Sequence, residues 1–310
     1  DWFADSGSQL PIPDSYELPE ISPEIEGVSN QVLLNDLQLL INGSYRPSHP
    51  GALAHLDPPP LSASIVGELI CSGLNNNLLA EELSPSLSSL ERNLCKWFCK
   101  RLGLGSLSGG VAASGGSLSN LMALVMARNV AGLANDPNAV FFASDDSHVS
   151  LIKAARVMGL KKESLKKIPT DEKGELNVSC LSSIFEKLKS EGKNCFAVVA
   201  SAGTTVRGAI DPLVEIAQFC QKENIWLHVD GAIGGIYGLS KITSELIEGI
   251  GSADSVTVNP QKLLGIAKTS SLLLVTNKNH LSSTFSTGLP YAEPLTGNEF
   301  HGGELGIQGT

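Results

Sequence analysis

From Val111 onward, short runs of unbroken apolar residues alternate with stretches whose apolar positions recur at helical spacing, and this alternation limits the fold more than any other feature. The candidate strands are residues 139–143, 196–200, 226–229, 255–258 and 272–275. Helical patterns lie between most of them, at 118–130, 149–158, 181–190 and 213–223. A strand made only of Val, Ile, Leu, Phe and Ala has no face suited to water, so both faces must be covered. Strands of that kind separated by helices form a mainly parallel sheet with helices on both sides, an α/β fold. Before this region the spacing predicts helices over 28–40, 61–73 and 84–102, with Pro85 suited to a first helical turn. Residues 1–27, rich in Pro, Ser and acidic side chains, read as a loose arm.

In a parallel sheet of this type ligands sit beyond the carboxyl ends of the strands. Four polar clusters fall at those ends: Ser144-Asp-Asp-Ser-His148, Ser201-Ala-Gly-Thr-Thr205, Asp230-Gly231 and Asn259-Pro-Gln-Lys262. A glycine-rich turn, Val111-Ala-Ala-Ser-Gly-Gly-Ser117, opens into the helix near Leu118, where backbone N–H groups could cradle a phosphate. No Gly-Lys-Ser/Thr follows it, and Ala112 stands where a hydrolase nucleophile elbow needs glycine. An ordinary tight turn is as good a reading of that segment alone. Asp230 is readable as a helix cap or as the partner of a pyridinium nitrogen. Lys262, 32 positions further on, is readable as a solvated loop residue or as a sheltered amine able to form a Schiff base. His148 fits a structural role, or a place beside a planar cofactor where imidazole can stack and exchange protons.

Charge narrows the partners. With 22 basic and 32 acidic residues the net charge is −10, which disfavours nucleic acid or an anionic membrane as the main partner. No run is long enough to cross a membrane and no signal-peptide pattern opens the sequence. Six cysteines without a CxxC pair suit a reducing, cytoplasmic setting. Cys95 and Cys99, four apart on a helical stretch, read as small core residues rather than metal ligands, and no His cluster suggests a metal. Asn42-Gly-Ser44 and Asn177-Val-Ser179 match the glycosylation pattern by chance.

As a set, these segments resemble the group II pyridoxal-phosphate-dependent decarboxylases, which include the glutamate, diaminobutyrate and aromatic-amino-acid enzymes. The resemblance is carried by Ser114-Gly-Gly-Ser117, Ser147-His-Val-Ser150 with Lys153-Ala-Ala, and Ala202-Gly-Thr-Thr205 with Gly208-Ala-Ile-Asp-Pro212. Ile225-Trp-Leu-His-Val-Asp230 and Asn259-Pro-Gln-Lys262 complete it. The resemblance implies an aspartate-aminotransferase-type large domain that binds pyridoxal 5′-phosphate. It implies Lys262 as the Schiff-base lysine, Asp230 on the ring nitrogen, His148 over the ring, Gly116 and Ser117 at the phosphate, and Thr205 and Asn259 as further cofactor contacts. It also implies a homodimer acting on a small-molecule amino acid, with residues 1–45 as an arm and 46–310 as the cofactor-binding domain.

The sequence departs from the family pattern in three places. Gln261 stands where the family usually has histidine. Pro290-Tyr291 and Phe300-His301 both lie near the loop that usually supplies a proton-donating tyrosine. The chain stops at Gly306-Ile-Gln-Gly-Thr310, where family members continue into a smaller C-terminal domain, so it is expected to lack that domain. Transamination or oxidative deamination on the same cofactor, and a non-catalytic fragment, stay open as alternatives. The segment 203–212 looks more like the glutamate and diaminobutyrate branches, which points to a small polar substrate.

Overall fold

The computed structural model describes residues 5–8, 10–14, 17–18, 22, 24–53, 55–288 and 302–307. The chain divides into two units, Asp1–Leu61 and Ser62–Thr310.

In the first unit, helix α1 (Asn30–Asn42) starts where the Ser29 side chain accepts a hydrogen bond from the Val32 N–H at 3.3 Å, satisfying one donor of the first turn. It ends at Gly43, whose N–H returns to the Leu39 carbonyl. None of its residues is buried. Arg46 is buried and donates to the Leu10 carbonyl at 3.3 Å, which fastens the segment after α1 to the preceding chain.

The second unit opens with α2 (Ser62–Leu74) and α3 (Pro85–Arg101). Pro85 begins α3, where the missing N–H costs nothing. The rest of the unit follows as β1 (Gly109–Ala113), α4 (Gly116–Val130), β2 (Ala139–Ser144), α5 (Ser150–Val157), β3 (Leu165–Ile168) and α6 (Val178–Ser190). Then come β4 (Asn194–Ser201), α7 (Leu213–Glu223), β5 (Trp226–Gly231), β6 (Ser255–Val258), α8 (Pro260–Leu263), β7 (Ser271–Val275) and α9 (Asn279–Phe285).

The seven strands form one sheet in the order β1-β7-β6-β5-β4-β2-β3. Pairings from β3 through β6 are parallel, while β7 runs antiparallel to both β1 and β6. The expected mainly parallel sheet is therefore present. Its two cores follow from strand alternation. Phe142, Val198, Leu227, Val229 and Val256 pack with Phe98 of α3, Phe185 of α6 and Ile216 of α7. Their neighbours Phe141, Val199, Trp226 and Leu273 face the other way, onto Met122 and Met126 of α4 and Leu151 of α5. Cys95 and Cys99 are core residues, each 1% exposed, and all six cysteines are free thiols. Among the described residues no helix is long and apolar enough to cross a membrane.

Two strands escaped the sequence reading. β1 begins Gly109-Gly110, with little side chain to register as apolar; a Cβ on Gly110 would lie 2.5 Å from the Leu273 carbonyl oxygen of β7. β3 is four residues long with two lysines and occupies the sheet edge, where one side needs no partner.

Candidate active site

Pairing register brings the strand ends into line. Ser201 of β4 pairs with Asp230 of β5, and Asp230 pairs with Thr257 of β6. Beyond them lies a cavity of about 400 Å³, within the usual range for small-ligand sites. All seven residues singled out from the sequence line it: Gly116, Ser117, His148, Thr205, Asp230, Asn259 and Lys262. Gln261 lines it as well. Pro290-Tyr291 and Phe300-His301 lie outside the described residues.

The turn into α4 makes one wall. Gly115 is the N-cap, with φ 148° and ψ 159°, a conformation essentially confined to glycine. It accepts the Leu118 and Ser119 N–H groups at 3.1 Å each, while the opening N–H groups of the helix have no carbonyl four residues back within it. The Asn259 amide is fixed by its neighbours. With its nitrogen toward Ser271 Oγ (2.7 Å) and its oxygen toward the Gly116 N–H (3.2 Å), both ends are satisfied. A Cβ on Gly116 would come within 3.1 Å of that amide and push it aside by a few tenths of an ångström, so glycine suits this close approach.

His148 sits on the turn after β2, half-buried. Lys167 Nζ braces this turn, donating to the Ser144 carbonyl at 2.9 Å and to Ser147 Oγ at 2.6 Å. His148 Nδ1 receives the Ser150 N–H at 3.2 Å and lies 2.8 Å from Ser150 Oγ. Burial holds the imidazole below its ordinary pKa; the Asp230 carboxylate opposes that shift, and Lys262 and Lys153 add to it. Burial thus favours the neutral form of the ring.

The loop after β4 is held by Asp211, which accepts the Ser201 and Leu176 N–H groups at 2.7 Å each. Burial nevertheless raises its carboxyl to about 6. Thr204 is turned inward to the loop, its Oγ1 accepting the Ala209 N–H, whereas Thr205 is exposed toward the cavity. Arg207 pairs with Asp146 at 3.1 Å, linking this loop to the one carrying His148.

Asp230, 9% exposed, accepts the Ala232 N–H at 3.2 Å and the Asn120 side-chain N–H at 2.8 Å. Lys262 lies in α8, half-buried on the same cavity. The sequence reading did not single out Asn120, which lines the cavity, or Ser150, His228 and Thr257, which hydrogen-bond with it. The available signal was a polar residue at a core position of an apolar element: Asn120 among Met122, Ala123 and Leu124, and His228 between Leu227 and Val229.

The sequence from residue 14 to 296 matches the model of the pyridoxal-dependent decarboxylase conserved domain. The chain belongs to that family. It is 36% identical over 264 residues to an aromatic-L-amino-acid decarboxylase of Bacillus atrophaeus, covering 84% of this chain and 55% of that protein. It is 32% identical over 261 residues to an L-2,4-diaminobutyrate decarboxylase of Acinetobacter baumannii, covering 77% of this chain and 51% of the relative. Mouse CSAD superposes with a TM-score of 0.85 at 29% identity, covering 94% of this chain and 62% of that one. The chain thus spans about half the length of the curated relatives it matches. The large-domain fold is of the aspartate-aminotransferase type, and the family's cofactor is pyridoxal phosphate. The donor set suits that group. An amine, an acceptor carboxylate, an imidazole and a helix start with open space beside Gly115 all line one cavity.

Proposed function

We propose that this chain is the cofactor-binding part of a pyridoxal-phosphate-dependent amino-acid decarboxylase, releasing CO2 and the corresponding amine. The observation that carries the reading is the convergence of Lys262, Asp230, His148 and the start of α4 on one cavity in a member of this family.

The side chains divide the work. The Lys262 amine is the covalent attachment point for the cofactor aldehyde, on a half-buried residue that lines the cavity. Asp230 holds a proton on the cofactor's ring nitrogen, and the Asn120 and Ala232 N–H groups keep its carboxylate aimed. Gly116 and Ser117 present the N-terminus of α4 to the phosphate, where backbone donors and the helix dipole favour an anion. His148 lies against the ring as a neutral imidazole. Thr205 and Asn259 complete the contacts. When bound, pyridoxal phosphate supplies an electron sink for the pair left behind as the α-carboxylate departs.

A small polar amino acid is the substrate class we favour from the segment 203–212. The named relatives act on aromatic and dibasic amino acids, so the substrate is a matter for a direct screen. A homodimer in a reducing cytoplasm fits the free cysteines and the apolar residues exposed along α2.

Borohydride reduction of the cofactor-loaded chain, followed by peptide mapping, should place the phosphopyridoxyl label on Lys262. A label on Lys153 or Lys268 instead would sink the assignment. Product analysis for CO2 and amine separates decarboxylation from transamination.

A further inference from the structure

The buried polar residues behind the cavity form a chain of hydrogen bonds whose direction is fixed at both ends. At one end the indole of Trp226 can only donate, and Nε1 gives its proton to Ser255 Oγ at 2.9 Å. Ser255 Oγ lies 2.8 Å from His228 Nδ1, and His228 Nε2 lies 3.1 Å from Asn120 Oδ1. At the other end the carboxylate of Asp230 can only accept. The Asn120 atom 2.8 Å from Asp230 Oδ2 must therefore be the nitrogen.

Every other proton then has one place. Asn120 Oδ1 accepts from Thr257 Oγ1 at 2.8 Å and from His228 Nε2, so His228 carries its proton on Nε2 and accepts from Ser255 at Nδ1. The second proton of the Asn120 amide goes to Ser150 Oγ at 3.0 Å. The Ser150 backbone N–H can only donate and points at His148 Nδ1 from 3.2 Å, so that nitrogen is an acceptor and the Ser150 hydroxyl, 2.8 Å away, turns its own proton toward it as well. Two donors on Nδ1 leave the imidazole proton on Nε2. Asn120, Ser150, His228, Ser255 and Thr257 are at most 1% exposed, so water does not compete for these bonds.

We propose that Asn120 is the positioning residue of this site. Its single amide aims the Asp230 carboxylate and, through the Ser150 hydroxyl, holds the proton of His148 on Nε2. The two groups above and beside the cofactor ring are thereby set by one side chain on α4, which is itself locked by His228 and Thr257. The inference rests on the cofactor reading above for its consequence, but the proton placement is a property of the chain alone.

The test separates the two. In the cofactor-free chain with ¹⁵N-labelled histidine, long-range ¹H–¹⁵N spectra should show His148 as the Nε2–H tautomer. Ser150→Ala removes a donor from Nδ1, and Asn120→Ala frees the Ser150 hydroxyl to rotate away from it, so each should populate the Nδ1–H form and raise the His148 pKa. The charged groups facing this ring, Asp230, Lys262 and Lys153, are unchanged in both variants. Asn120→Ala should also bind pyridoxal phosphate about tenfold more weakly, the usual effect of losing one hydrogen bond to a charged group, while Ser150→Ala stays within about twofold. Both variants should still take the borohydride label at Lys262. A wild-type His148 protonated on Nδ1 would overturn the proposal. So would an Asn120→Ala chain whose His148 tautomer and cofactor affinity match wild type. A folded wild-type chain with the expected tautomer but no label at Lys262 would instead overturn the cofactor reading and leave the proton placement standing. Ser150→Ala, a small change on a helix start, keeps the tautomer arm testable if Asn120→Ala folds poorly.

Discussion

Strand β5 and helix α2 are both apolar stretches, and they end in opposite circumstances. All six residues of β5, Trp226–Gly231, are buried, including His228 and Asp230. Helix α2 buries none of its thirteen residues, and Ile65, Val66, Leu69, Ile70 and Leu74 are 41–72% exposed. Apolar periodicity says which positions avoid water, but it does not say what covers them. For β5 the cover is the rest of the sheet with α4 on one face and α7 on the other, and its two polar side chains survive there because each has partners with matched donors and acceptors. Helix α2 has no buried residue among those described, an exposure that fits the homodimer proposed above.

The largest effect should come from Lys262. Lys262→Ala removes the only amine proposed to bond the cofactor, so borohydride labelling should vanish and turnover should fall by at least about four orders of magnitude. Residual labelling at an unchanged level would show that the polar ends of the strands do not form the attachment site. Asp230→Asn comes next. The carboxamide keeps the shape at the end of β5 but loses the charge, so the cofactor should still bind while turnover drops roughly a thousandfold, about 4 kcal/mol in the barrier. Near-normal turnover would make Asp230 a structural cap.

A third experiment addresses the comparison through stability. Phe142 is 0% exposed and packs with Phe185 at a 6.1 Å ring separation, so Phe142→Ala should cost about 3–5 kcal/mol in urea unfolding. Leu69, 72% exposed on α2, should change monomer stability by less than about 0.5 kcal/mol when replaced by Ala. Leu69→Asp should instead weaken self-association measured by light scattering. If Leu69→Ala destabilises as much as Phe142→Ala at concentrations where the chain is monomeric, α2 is covered within the chain and the contrast with β5 disappears.

These contrasts also explain what could be read from the sequence. Helix α7 was placed to the residue and β6 likewise, because each is a regular apolar pattern bounded by turn residues. That Gly116, Ser117, His148, Thr205, Asp230, Asn259 and Lys262 would meet at one cavity was legible because polar segments cluster at the strand ends and resemble a known family there. Asn120 and His228 were not. Each lies inside a regular element, where a single polar residue reads as noise until its partners, 108 positions apart in sequence, are seen to meet. The edge strand β3 was missed for the converse reason: Lys166 and Lys167 break the apolar run that marks the inner strands.

The smallest effect is one of pH, and it probes the same buried chain. His228 is 0% exposed, and burial lowers its pKa from the ordinary 6.5 to about 4, with the nearby Asp230 charge opposing the shift. The unfolded chain takes up a proton at this residue below about pH 6.5, whereas the folded chain refuses it until about pH 4. The stability this residue confers is therefore complete above pH 6.5 and is lost as pH falls toward 4, by at most about 3 kcal/mol. Asp211 works in the other sense. Its folded pKa of about 6 exceeds the ordinary 3.8, so the folded chain binds that proton first and gains stability as pH falls through the same window. Wild type should accordingly show a shallow slope between pH 6 and 4, and Asp211→Asn, which removes the compensation, a steeper loss on acidification. An NMR titration reads His228 directly, and its ring should stay neutral to about pH 4. A ring that titrates near 6.5 in the folded chain would mean that water reaches it. The directed run of hydrogen bonds from Trp226 to Asp230 could not then hold, and β5 would be no better sealed than α2.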